Sequence, residues 1–210
     1  AQFGKGDKYF GVCTLMITMP GLPMFGHGQI EGFEEKYGME YTKAYRDEHP
    51  DTGLVDRHWH DIFPLMHKRY LFAGVEEFLF YDVWDNGHVN ENVFAFSNGV
   101  GKDRTLVFYN NKYDRAQGWI KQSCEYAVKT GSGESDVTMQ SRSLAQGLLL
   151  TGGADHFCIF REHKSGLWYI RRCDDIINQG MFLALNGFEY QVYLDIQEVD
   201  RKSTRLNSSH

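Results

Sequence analysis

The chain is 210 residues long, 42% hydrophobic and 15% aromatic; that is enough apolar material for one ordinary domain or two small ones, and it excludes a disordered chain. The formal charge is −6 with Lys and Arg scattered, which excludes the clustered basic surface that nucleic acid demands. No apolar run approaches the roughly 18 residues of a membrane-spanning helix.

The first element expected is a helix from Asp7 to Met19. Tyr9, Phe10, Val12, Cys13, Leu15, Met16 and Ile17 make it apolar nearly all round, so it is buried on most sides. Asp7 is placed at its N-cap and Pro20-Gly21 stops it. Leu22 to Phe25 reads as a short strand, with Pro23 near its start. In Gly26-His27-Gly28-Gln29-Ile30-Glu31-Gly32, three glycines in seven residues call for tight turns or close backbone approach. Residues Glu34 to Pro50 form a polar surface loop. A second helix is expected from Leu54 to Leu71, with Leu54, His58, Ile62, Leu65, Met66 and Arg69 on one face. Pro64 should kink or split it.

Beyond Gly74 the period changes. Strands are expected at Phe78 to Val83, Val93 to Ser97, Thr105 to Tyr109, Phe157 to Arg161, Leu167 to Arg171, Met181 to Leu185 and Phe188 to Ile196. In the last, Phe188, Tyr190, Val192, Leu194 and Ile196 alternate with polar residues, the pattern of a strand with one buried face. Lys129 to Asp136 reads as a flexible loop; it lacks the Gly-Lys-Ser/Thr of a phosphate loop. The fold expected is helix, strand and helix followed by an antiparallel β-sandwich, with a boundary near residues 72–77. Cys13, Cys124, Cys158 and Cys173 have no CxxC spacing and are expected to be reduced thiols, which favours a cytoplasmic setting. The sequence begins without Met, so the true N-terminus and compartment stay open.

Asp200 to His210 reads DRKSTRLNSSH, and no structural role suggests itself. The segment resembles the conceptual translation of a common sequencing adapter, residue by residue. The alternative is a natural polar tail. Residues 200–210 are therefore expected to be a non-native tail.

The run Met19-Pro20-Gly21-Leu22-Pro23-Met24-Phe25-Gly26-His27-Gly28-Gln29 resembles the last barrel strand of the α-amylase family of glycoside hydrolases. Pro20, Gly21 and Pro23 match the family's P-G-x-P. Gly28 and Gln29 take the place of its Gly-Asp or Gly-Gln pair. Glu31 to Tyr41 resembles a branch of large bacterial enzymes. The chain departs from the pattern at Gly26 and His27, where tyrosines are usual, and at Ile30, where Glu is common. The resemblance implies that residues 7–19 are the seventh barrel helix, 22–26 the eighth strand and 54–71 the eighth helix. Residues 1–74 would be the C-terminal portion of a (β/α)8 barrel and 77–199 the family's C-terminal β-sandwich. The implied substrate is an α-glucan of the starch or glycogen type, with no cofactor. The family's nucleophile Asp, acid Glu and stabilising Asp end strands four, five and seven, all upstream of Ala1. No residue of this chain is then catalytic, the isolated chain is inactive, and its partner is the missing N-terminal barrel portion.

His27 and Gln29 are the candidate substrate-binding residues, since barrel strand ends carry the working groups and their donors could reach sugar hydroxyls. Glu31 and Glu34 read as solvated charge. His58 and His60 point about 200° apart on a helix and cannot chelate one ion; no metal is expected there, at Asp155-His156, or at Asp174-Asp175, which lack a calcium-loop spacing. Trp119 and Trp168 are read as packing residues rather than sugar platforms. A stand-alone carbohydrate-binding β-sandwich starting near residue 77 is the alternative function; a small metal-binding protein, resting on scattered histidines, is the third.

Overall fold

A computed structural model of the chain describes residues 3–35, 43–131, 133 and 136–201. The Gly-Met-Glu-Tyr run at 38–41, part of the 129–136 loop and residues 202–210 of the tail lie outside the described residues.

Helix α1 spans Asp7–Thr18. Its N-cap is Gly6 rather than Asp7. Asp7 sits in the first turn instead, where a carboxylate suits the positive end of the helix dipole and accepts from Arg57 Nη2 at 2.7 Å. Phe10, Cys13 and Ile17 are buried, while Val12, Leu15 and Met16 are half-buried. Thr14 and Thr18 are also buried, and their hydroxyls donate to carbonyls four residues back, at 2.8 and 2.6 Å. That leaves neither hydroxyl unsatisfied.

Gly11 faces the sheet so closely that an added Cβ would fall inside the Tyr109 ring. Ala is better than Gly in a helix by about 1 kcal/mol, but forcing a methyl into a filled core costs about 1–3 kcal/mol. Gly11→Ala is therefore expected to lower the thermal midpoint despite its propensity. An unchanged or raised midpoint would show that α1 can lift off the sheet at no cost.

Residues 22–25 carry neither helix nor strand among the described residues. A strand exists only when a neighbour takes its backbone hydrogen bonds, and nothing described lies beside this segment to do so. The segment expected to be the last strand of a barrel has no backbone hydrogen bond to another segment among the described residues. Leu22 is 86% and Met24 74% exposed.

The second helical run begins at α2, Thr52–Arg57, capped by Asp51, whose carboxylate accepts from Leu54 N at 3.1 Å. It passes through a π-helical turn, His58–Ile62, into α3, Phe63–His67, and ends in a 3-10 turn at Arg69–Leu71. The N–H of Phe63 reaches back five residues to His58 O. Pro64 has no N–H and its ring excludes the usual carbonyl four back. The wider turn accommodates it, so the run continues instead of splitting.

The strands are β1 Leu79–Tyr81, β2 Trp84–Asp85, β3 His88–Val89, β4 Val93–Val100, β5 Asp103–Asn110, β6 Ala116–Ile120, β7 Tyr126–Lys129, β8 Val137–Gln140, β9 His156–Glu162, β10 Trp168–Arg172, β11 Met181–Leu185 and β12 Tyr190–Asp200. Two short helices, α4 Leu144–Gly147 and α5 Cys173–Gln179, interrupt them. One sheet has the order β1-β4-β5-β12-β9-β10, a second β11-β6-β2-β3, and β7-β8 is a separate hairpin. All pairings are antiparallel.

One apolar cluster lies between the two larger sheets, with Leu79, Tyr81, Leu106, Phe108, Ile120 and Leu183 at its centre. A second lies on the other face of the six-stranded sheet, where Phe96, Val107, Tyr109 and Val192 meet Phe10, Ile17, Ile62 and Leu65 of the helical run. The sheet is therefore covered on both faces. The expectation of one buried face for residues 188–196 is corrected by a bulge in β12. Its register shifts between Tyr193 and Ile196, where Asp195 adopts φ 55°. Tyr190, Val192 and Leu194 face the helices, whereas Tyr193 and Ile196 face the second sheet. A single inserted residue switches which side the next side chain takes. The helical run ends at Leu71 and β1 begins at Leu79, yet the second cluster crosses that point. A sandwich starting at residue 77 would leave Phe96, Val107 and Tyr109, all 0% exposed here, without their cover.

Candidate functional site

The turn after residue 25 is built by its glycines. Gln29 N donates to Gly26 O at 3.1 Å and Phe33 N to Gly28 O at 2.8 Å. Gly28 and Gly32 have φ of 69° and 78°, a region L-residues avoid. A Cβ on Gly28 would lie 2.8 Å from Phe33 Cβ, and one on Gly32 would lie 2.8 Å from Leu54 Cδ2. His27 is exposed, its ring 6.5 Å from that of Phe33. Gln29 is half-buried, and both ends of its amide are engaged. Its Oε1 accepts from Gly26 N at 3.0 Å and its Nε2 donates to the Tyr9 hydroxyl at 3.2 Å. The structure thus brings His27 and Gln29 into one turn, with Gln29 oriented from beneath by α1.

Beneath Gln29 the hydrogen bonds continue inward. His58 is fully buried; its Nδ1 lies 2.8 Å from Leu54 O and its Nε2 2.9 Å from the Tyr9 hydroxyl. A carbonyl can only accept, so Nδ1 carries the proton and Nε2 accepts from Tyr9. The chain Gln29 to Tyr9 to His58 to Leu54 is polarised in one direction and needs a neutral imidazole. Burial supplies the same preference, pushing His58 below its ordinary value and the Tyr9 phenol above its own.

This carries a pH prediction. The unfolded His58 protonates near pH ~6.5, the folded one only at lower pH. As pH falls between these values the unfolded chain binds more protons, so stability erodes. His163, also depressed by burial, acts in the same direction. His156 is raised by hydrogen bonding to the Glu198 carboxylate, and its contribution is instead lost as pH rises. The unfolding free energy is expected to be smaller at about pH 5.5 than at about pH 7.5, with the slope reduced in His58→Gln. Denaturant titrations at the two pH values check this; equal slopes in both proteins would sink it.

Asp61 lies in the π turn with its side chain only 7% exposed. Its Oδ2 accepts from Arg57 Nε at 3.1 Å and from the Tyr190 hydroxyl. Its carbonyl accepts from His163 Nε2 at 3.0 Å. Arg57 also lies 4.0 Å over the Phe10 ring. This cluster joins the helical run to β12 and to the turn after β9. Above it opens a groove of about 630 Å³, bounded by Asp7, Glu162, Lys164, Tyr169, Glu189 and Tyr190. Glu162 accepts from the backbone of Lys164 and Ser165, and Glu189 from that of Asn186. These carboxylates hold turns together.

The remaining sequence candidates are dispersed. Glu34 is exposed and paired with Arg46 at 2.9 Å. His60 is exposed on the side of the helix away from buried His58. His156 opens β9 and pairs with Glu198, which also accepts from Thr151 N and Oγ1. Asp174 accepts from Gly153 N at 2.9 Å. Trp119 and Trp168 are 43% and 56% exposed, and each meets a surface neighbour, Phe182 at 5.3 Å and Arg161 at 6.0 Å. Tyr9 and Tyr190 were expected only as buried-face residues, and the hydrogen-bonding roles of Tyr9, Asp61 and Tyr190 were not foreseen. Tyr9 and His58 are separated by 49 positions, Asp61 and Tyr190 by 129, and no local pattern marks such pairs.

No family model matches the sequence, and no curated protein matches it. Solved structures do. A noncanonic maltogenic α-amylase, AmyB from Thermotoga neapolitana, aligns with a TM-score of 0.54 at 14% identity, over 91% of this chain and 37% of that one. The α-amylase from Geobacillus thermoleovorans, crystallised with acarbose, gives 0.52 at 11%, over 91% of this chain and 33% of that one. An Anoxybacillus α-amylase gives 0.50 at 13%, over 90% and 32%. This chain spans about a third of their length. At these identities the likeness is one of fold.

Proposed function

We propose that this chain is part of an α-amylase-family enzyme acting on α-glucosidic bonds of starch- or glycogen-like glucans. Residues 1–74 supply the last helix, strand and helix of its (β/α)8 barrel, and residues 77–199 its C-terminal β-sandwich. The observation that carries this reading is the segment at 22–25, between α1 and α2. Its Leu22 and Met24 stand 86% and 74% exposed, and its backbone is unpaired among the described residues. A strand with barrel neighbours on both sides would use both features. The fold likeness to α-amylases over 91% of the chain supports the same assignment.

In a barrel, strand C-termini carry the substrate contacts. The turn Gly26–Gly32 stands at that end of the segment, and His27 and Gln29 are proposed to bind glucosyl hydroxyls there. Gln29 is suited to the task because Gly26 and Tyr9 fix its amide plane. Retaining cleavage needs two carboxyl groups about 5 Å apart. The proposal takes them from strands outside this chain, so the purified chain should release no reducing sugar from starch.

The test is the DNA upstream of the codon for Ala1. An open frame encoding strand-and-helix units and a His/Asn-x-Asp motif is expected. An initiator codon directly before Ala1 would sink the proposal. In the enzyme so completed, His27→Ala should raise KM for maltooligosaccharides more than it lowers kcat.

A further inference from the structure

The outer face of the four-stranded sheet carries a row of apolar side chains at right angles to its strands. Phe182 of β11 pairs with Trp119 of β6, Trp119 with Trp84 of β2, and Trp84 with Val89 of β3. Residues directly opposite in a ladder share a face, so one row crosses all four strands. Its neighbours in sequence point inward: Val83, Ile120 and Leu183 belong to the core between the sheets. The four row residues are between 37% and 49% exposed. Gly118 makes the row possible. A Cβ there would lie 2.7 Å from Val83 Cγ1 and from Trp84 O, so only glycine lets β2 close onto β6 and set Trp84 against Trp119.

We infer that this row is a non-catalytic binding platform for a chain of α-linked glucose. Strands lie about 4.8 Å apart, so the three rings span about 10 Å in a line, which suits an extended ligand rather than a compact one. Trp119 and Phe182 are 5.3 Å apart and tilted by 55°; they do not cover one another's faces. Charge narrows the occupant. Nucleobases stack equally well on such rings, but each brings a phosphate. Beside the row on its own face stand Gln117 and Lys121, the Lys121 ammonium held by Asn178 O; the alternation that buries Tyr81 and Val83 turns Asp82 to that face as well, with Glu91 close to Val89. A net charge of −6 further opposes a polyanion. A sugar is neutral, with apolar C–H faces for the rings and hydroxyls for Gln117. Area disfavours a second copy. Half-exposed aromatics of about 150–250 Å² each leave far less than the roughly 800 Å² per partner of a stable interface. The choice of α-linked glucose over other hexose chains rests on the proposed function.

The test is gel retardation of the full chain by amylopectin and by a soluble β-glucan, with variants Trp119→Ala, Phe182→Ala and the double variant His27→Ala/Gln29→Ala. Amylopectin is expected to retard the wild type. Trp119→Ala should weaken retention about tenfold at an unchanged thermal midpoint, and the His27/Gln29 variant should keep most of it. If Trp119→Ala fails to fold, Phe182→Ala and a saturable change of tryptophan emission with maltoheptaose carry the same expectation. Retention that survives both ring substitutions, or no retention by any glucan, overturns the platform. Retention lost only in the His27/Gln29 variant overturns it too, while favouring the proposed strand-end subsite. Retention by the β-glucan alone, abolished by Trp119→Ala, overturns the α-glucan ligand and with it the family reading. A wild-type dimer that Trp119→Ala converts to monomer assigns the row to self-association instead.

Discussion

Asp61→Ala is expected to destabilise the protein by about 3–5 kcal/mol, the cost of breaking a buried ion pair from one side. The carboxylate is the common acceptor for the Arg57 guanidinium and the Tyr190 hydroxyl, with Lys164 Nζ a further 3.9 Å away. Removing it strands a phenol that burial already holds above its ordinary pKa. Arg57 keeps the Phe10 ring beneath it and Asp7, whose side chain is 65% exposed, so that the remaining ion pair contributes little. Tyr190→Phe deletes one donor but leaves Asp61 with Arg57, and should cost only about 0.5–1.5 kcal/mol. Urea titrations of both single variants and the double variant give the coupling between them. The double variant should be less damaged than the sum, because Tyr190 has no acceptor left to lose. A loss under about 1 kcal/mol for Asp61→Ala would mean that the helical run does not depend on this tie.

Phe10→Ala should be comparably severe, about 3–5 kcal/mol for an aromatic removed from a packed interior. The Phe10 ring is 0% exposed. It meets Tyr9 edge-on at 5.1 Å, His58 at 5.0 Å and the Arg57 guanidinium at 4.0 Å. It is where α1 grips the π turn. The effect should reach the candidate site, since Tyr9 and His58 hold Gln29 from below. Faster hydrogen exchange at the Gln29 and Phe33 amides, which close the Gly26–Gly32 turn, is the measurement. Unchanged exchange there, with global stability lowered, would separate the turn from the helix beneath it. Phe10→Leu, which refills most of the space, should lose far less.

The elements that were legible in the sequence are those whose cause is local. The apolar run of α1 and its Pro20-Gly21 stop, the strands at Val93, Thr105, Phe157 and Met181, and the glycine-built turn at residues 26–32 each follow from periodicity or backbone sterics. That His27 and Gln29 share one turn was legible for the same reason; their contact with substrate is a proposal. What was missed had no such signal. β2 and β3 are two residues long, too short to show alternation. The alternation of β6 is broken by Gly118, the residue its packing requires. The segment at 22–25 has strand chemistry, but no described residue takes its backbone hydrogen bonds.

Sequence alone therefore determined where the chain turns helical, where it extends and where it bends, because those preferences act within a few residues. Tertiary structure alone decided that the central sheet is covered on both faces and that Ile196 crosses to the far side of β12. It alone joined Asp61 to Tyr190 and drew four residues from four strands into one exposed row. These are consequences of pairing between distant segments, and their free energy exists only once the chain has closed.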